Sequence, residues 1–255
     1  FVGSVRCVLE TVIMLMRFTA FVCFLTSASI SQNLFNRFIS SPFTISIIRG
    51  IESDGLFKPR DFDFHTDVNR ANELWVINEN SASFDSDFGG STVTYYNAGS
   101  NEQWADYRKD SYSGHFMHTA SALSFDDTGF FANTLECQDA NNNPNGYFSG
   151  PTLWDSDLSI YANLNQDGPL LGSHLDMIHQ SPYSMGIEYA GSGNIYWVFD
   201  GYHSSIVRYD FAMPHEIGGS DHSDGRVWRY DEVDILRQEG IPSHMVLDDE
   251  SGLLY

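Results

Sequence analysis

Apolar and polar positions alternate over short runs along most of this chain, and beyond the N-terminus no long stretch recurs at helical spacing. The clearest example runs from Leu171 to Phe211. Met185 to Tyr189 reads as a strand and Gly191-Ser192-Gly193 as a turn. Asn194 to Phe199 is a second strand, aromatic and β-branched almost throughout. Asp200-Gly201-Tyr202-His203 turns the chain again, Ile206 to Phe211 is a third strand, and Gly225 to Tyr230 is a candidate fourth. Four antiparallel strands in succession make one blade of a β-propeller.

The second-strand pattern recurs. Leu74-Trp75-Val76-Ile77-Asn78 matches Tyr196-Trp197-Val198-Phe199-Asp200, with Gly129-Phe130-Phe131-Ala132-Asn133 between them and Gly252-Leu253-Leu254-Tyr255 opening a further copy. Taking Trp75, Phe131, Trp197 and Tyr255 as equivalent aromatics gives spacings of 56, 66 and 58 residues. A first strand precedes each copy, at Asp61 to Phe64, Ala122 to Phe125, Met185 to Tyr189 and Met245 to Leu247. Short strands at a long, fixed period mean a propeller or a solenoid, and a compact blade needs only about 40–50 residues. The excess fits long loops, two of which lie at Gln138 to Pro151 and Ala212 to Asp224. The expected fold is therefore an all-β propeller of four-stranded antiparallel blades over residues 57–255, with about three blades and the start of a fourth. Closure takes about four to eight blades, so further C-terminal blades are expected and the sequence reads as a fragment.

The N-terminus has a different texture. Met14-Leu15-Met16-Arg17, apolar Phe18 to Leu25 and small Ser27-Ala28-Ser29 have the order of a signal peptide. Its apolar core is shorter than the roughly 20 residues that span a bilayer. Residues 1–32 are read as upstream segment and signal peptide and 33–56 as a lead-in. The mature chain is expected to be secreted, extracellular or periplasmic, with no membrane insertion after cleavage. Removing residues 1–32 takes away Arg6, Arg17 and Glu10, changing the net charge from -21 to 11 - 33 = -22. It also removes Cys7 and Cys23 and leaves Cys137 alone, so the mature chain holds no internal disulfide.

So acidic a chain is a poor partner for nucleic acid, whose phosphates need a basic surface. Carboxylates in this number do suit a hard cation such as calcium.

Ser181 to Phe211 resembles an NHL-type repeat on the strength of Pro182, Tyr196-Trp197-Val198-Phe199-Asp200 and Val207-Arg208-Tyr209-Asp210. The resemblance covers about residues 57–255 and implies a six-bladed propeller, monomeric when full length. Asp200-Gly201-Tyr202 with Ser205-Ile206-Val207 is further similar to the lyase domain of peptidylglycine-amidating enzymes. That resemblance implies a catalytic role for Tyr202 and zinc held by histidines after the prolines that open neighbouring blades. The family's histidine position after Pro242 is occupied by Ser243 here, with His244 next. In the preceding blade the position falls near Ser121, with His118 the nearest histidine.

In a propeller the loops entering first strands share one face with those joining second to third strands. That geometry is expected to gather His115, His118, His174, His179 and His244 from entry loops and His203 from the Asp200 turn. Glu79 and Glu136 are expected on the same side. Imidazole nitrogens select zinc or copper, so His174, His179, His203, His244 and His118 are the candidate metal ligands. Calcium held by Glu79, Asn133 and Asp200 is the alternative. His65, His215 and His222 are placed on the opposite face, although the paired aspartates of Ser220-Asp221-His222-Ser223-Asp224-Gly225 could take calcium. Asp85-Ser86-Asp87 and Asp155-Ser156-Asp157 read as solvated turns. There is no Gly-rich phosphate loop, Gly-x-Ser-x-Gly elbow or paired-cysteine motif.

The expected function is a secreted propeller whose histidine-lined face binds a divalent metal and a small-molecule or peptide ligand. The alternatives are a metal-dependent amidating-type lyase with Tyr202 as base, a calcium-dependent lactonase-like hydrolase, and a scaffold without catalysis.

Overall fold

The computed structural model describes residues 47–80, 88–141, 149–232, 234–248 and 250–255. The signal-peptide reading, Cys7, Cys23 and the Asp85-Ser86-Asp87 turn lie outside the described residues. The chain divides into Phe1–Ile47 and Ile48–Tyr255, and the strands of the described residues lie in the second unit.

Three four-stranded antiparallel meanders follow one another. The first blade is β1 (Pro59–Phe64), β2 (Leu74–Asn78), β3 (Ser91–Tyr96) and β4 (Trp104–Arg108). The second is β5 (Ala120–Phe125), β6 (Phe130–Leu135), β7 (Thr152–Asp155) and β8 (His174–Met177), and the third is β9 (Ser184–Tyr189), β10 (Ile195–Asp200), β11 (Ser205–Asp210) and β12 (Arg226–Tyr230). Strands β13 (Leu247–Asp248) and β14 (Leu253–Leu254) begin a fourth. A one-turn helix, α1 (Ser113–Phe116), precedes β5. The chain is a β-propeller of four-stranded blades, as the strand pattern predicts.

Register corrects one alignment. Each of the three full blades has a bulge near the start of its first strand, at Pro59/Asp61, Ala120/Ala122 and across Ser184 and Gly186. Superposing the bulges makes Leu74, Phe131 and Tyr196 equivalent, and Trp75, Ala132 and Trp197 equivalent. Phe131 is therefore one residue out of line with Trp75 and Trp197. The adjacent pair Phe130-Phe131 offers two aromatics where only one faces the preceding blade.

Inner strands such as β2, β5 and β6 bury side chains on both faces, so the interfaces between blades are apolar. Between the first two blades Trp75 lies 5.3 Å from Phe131, 5.5 Å from Phe125 and 5.7 Å from Tyr161, and all four rings are buried. Between the second and third, Ala132 and Leu153 meet Tyr196, Val198 and Tyr209. Beyond the third, Met185 and Phe199 meet Met245 and Leu254. Gly186 permits that approach, since a Cβ there would lie 1.8 Å from the Ser243 carbonyl oxygen.

A polar link repeats along the inner strands. The Phe125 amide donates to Asp63 Oδ2 (2.9 Å), the Tyr189 amide to Ser124 Oγ (3.0 Å) and the Leu247 amide to Glu188 Oε1 (3.0 Å). Asp63, Ser124 and Glu188 pair with Trp75, Ala132 and Trp197, so the acceptor is the same blade position each time. Removing an acceptor strands an inward amide, which costs about 1–3 kcal/mol. Ser124→Ala is therefore expected to lower the urea midpoint by an equivalent of about 1–2 kcal/mol, measured by fluorescence-detected unfolding.

Candidate metal site

The six candidate histidines do not all meet in one funnel: His115 lies within electrostatic reach of His118, His174 and His179, while His203 and His244 sit with Asp200 and Asp61. His174 is the first residue of β8, the outermost strand of the second blade, and not part of an entry loop. Its ring is buried and stacked at 3.6 Å on Phe116, with Nδ1 2.9 Å from the Leu171 carbonyl. Burial holds it neutral, with a pKa lowered to about 4. His179 follows β8 and lies 5.4 Å from His115, ring to ring. His115 bonds Asn141 Oδ1 through Nδ1 (2.9 Å), and burial lowers its pKa to about 4. His118 turns Nδ1 to the Gly114 carbonyl and stacks on Phe88. His203 Nδ1 lies 2.8 Å from the buried Asp200 Oδ2, which also receives Arg229 at 3.1 Å. Tyr202 is exposed, and its amide donates to Asp200 Oδ1.

His244 sits apart, with Nδ1 3.1 Å from Asp61 Oδ1, on a cleft of about 420 Å³ between the inner strands. Asp63 lines the same cleft, and burial raises its pKa to about 6. The three calcium candidates also have separate partners. Glu79 pairs with Lys58 (3.2 Å) and Arg60 (2.8 Å). Asn133 accepts from Trp154 Nε1 at 2.6 Å and donates to the Phe116 carbonyl. Asp200 is bound to His203 and Arg229.

One serine–histidine contact invites a nucleophile reading and does not support it. The Asp67 amide donates to His65 Nδ1 (3.0 Å), which leaves the ring proton on Nε2, facing Ser156 Oγ at 2.8 Å. Arg70 donates to the same oxygen at 2.9 Å. Ser156 thus accepts twice, and His65 cannot take its proton.

Among the described residues one group of three brings ligand atoms within 4.8 Å of one another: Asp176, His215 and Asp224. Asp176 is the third residue of β8, fully buried, and its Oδ2 has no hydrogen-bond partner. His215 and Asp224 come from the loop joining β11 to β12. His215 Nε2 lies 2.8 Å from Asp224 Oδ1 and 3.7 Å from Asp176 Oδ2. His222, from the same loop, holds the other oxygen of Asp176 through Nδ1 at 2.9 Å, and its ring is 5.4 Å from His174. Burial alone would lower the His215 pKa, but the Asp224 hydrogen bond and the Asp176 charge outweigh it and raise the value.

His174 and Asp176 stand two apart on β8 with a bulge between them, and the ring of His222, which holds Asp176, lies 5.4 Å from that of His174. That His-x-Asp pair is the signal pointing to this place. The partners His215 and Asp224 lie 39 and 48 residues beyond Asp176, in a loop of the next blade. No strand periodicity connects them. One imidazole and two carboxylates form a mixed N/O donor set suited to zinc and other first-row divalent ions, and three protein ligands leave positions open. Compared with models of protein families and with curated proteins, the chain matches none.

Proposed function

We propose that this chain is a secreted, NHL-like β-propeller that binds a divalent transition-metal ion through Asp176, His215 and Asp224 and presents it to a small-molecule or peptide ligand. One observation carries the reading: a fully buried carboxylate oxygen, Asp176 Oδ2, has no hydrogen-bond partner and lies within 4.8 Å of an imidazole nitrogen and a second carboxylate oxygen. An unpaired carboxylate oxygen in a low-dielectric setting is costly, and a cation is the partner that removes the cost. His222 orients Asp176 from the far oxygen, as hydrogen-bonded second partners commonly do around metal ligands. Zinc or copper fits the imidazole better than calcium does. The open positions on the ion are where a ligand carboxylate, hydroxyl or amide would bind.

The test is titration calorimetry of metal-free protein with zinc. One equivalent is expected to bind, and Asp176→Asn is expected to weaken it at least about 100-fold, since it removes a charged ligand and leaves the fold's shape intact. Unchanged affinity in that variant would defeat the assignment.

A further inference from the structure

We infer that the ion is also a clasp between the second and third blades, fastening the β11–β12 loop onto strand β8. This rests on the ion-binding reading above and adds a role to it. The ligands belong to two blades: Asp176 to the outer strand of the second, His215 and Asp224 to the third. The loop already lies against the second blade through its main chain. The Gly218 amide donates to the His174 carbonyl and the Leu171 amide to the Gly218 carbonyl, both at 2.8 Å. Asn165 Nδ2 donates to the Ile217 carbonyl at 2.8 Å. Gly218 has φ +74°, and a Cβ there would stand 2.4 Å from the Gly172 carbonyl oxygen, so the seat is closely fitted.

The connection between β11 and β12 is fifteen residues long, 211–225, and beside these contacts its His222 already holds Asp176 at 2.9 Å. Phe211 and Ile217 are side chains of this connection that pack in the apolar cluster between the two blades. Residues 211–225 include no cysteine, so no disulfide can pin the loop. A three-ligand ion drawing on both blades would do so, in the way small folds use metals in place of cross-links. Asp224 is 40% exposed at its side chain and Asp176 is not exposed at all. The ion would therefore enter from the Asp224 side and seat against the buried carboxylate.

Hydrogen–deuterium exchange on the 255-residue chain, metal-free and with zinc, reads this directly. Zinc is expected to slow exchange of the Leu171 and Gly218 amides at least tenfold, and Asp224→Asn or His215→Gln is expected to abolish the slowing. Asp224 is partly exposed and bonds only within its own loop, so its variant leaves the blades intact. Zinc that binds stoichiometrically by calorimetry without slowing either amide would overturn the clasp and leave the ion site standing. Slowing that persists in both variants would overturn it too, since the ion would then act from elsewhere. No zinc binding at all would remove both.

Discussion

Acidifying the protein from pH 7 to pH 4.5 is expected to destabilise it, because three histidines together take up about two protons on unfolding at pH 4.5. His65, His115 and His174 all have pKa values lowered to about 4, in each case chiefly by burial. A histidine so placed binds its proton more readily in the unfolded chain. Its contribution to stability is present above the unfolded value of 6.5 and is lost as pH falls from there towards 4. For His174, which has no exposed surface, each unit is worth about 1.4 kcal/mol, or about 2 kcal/mol at pH 5. Asp63 works the other way. Its raised pKa of about 6 makes the folded state hold a proton that the unfolded chain has released, so its term favours folding as pH falls from 6 towards 4 and softens the loss. The check is chemical denaturation at pH 7 and pH 5 with His174→Gln beside the natural chain. The variant should lose about 2 kcal/mol less between the two pH values. Equal losses would show that His174 is not held neutral by its packing against Phe116.

Trp75→Ala should be the most damaging single core substitution. The indole is fully buried and touches the rings of Phe125, Phe131 and Tyr161, which come from both strands and the long loop of the second blade. Removing it opens a cavity in the interface that joins two blades, and such truncations cost about 3–5 kcal/mol. Trp197→Ala sits at the equivalent blade position but is only half-buried, so its cost should be clearly smaller. Urea unfolding of the two variants compares them. Equal losses would contradict the account in which Trp75 is enclosed between two blades while Trp197 is only partly covered.

The blades were legible because their physics is local. Alternating apolar residues bounded by Gly and Asp turns mark β9, β10, β11 and β12 within a residue or two. The Trp75 and Trp197 strands announce each other by composition. Strands such as β7, only four residues long, carry no distinct period, and with β7 unassigned β8 went unplaced too. That is why His174 reads as a loop residue in sequence but begins an outer strand in the fold, on the side where His215 and His222 lie. The candidate metal site was less legible still. Its ligands are set by how one blade's loop crosses to its neighbour, and neither spacing nor composition encodes that crossing. The inner-strand links of Asp63, Ser124 and Glu188 escaped for a related reason, since three different side chains perform one role.

The most direct test of the ion site is zinc-edge anomalous diffraction from crystals of the zinc-loaded protein. A single anomalous peak bonded to Asp176, His215 and Asp224 is the predicted result. A peak between His115 and His179, or beside His203 and Tyr202, with none at Asp176, would contradict it.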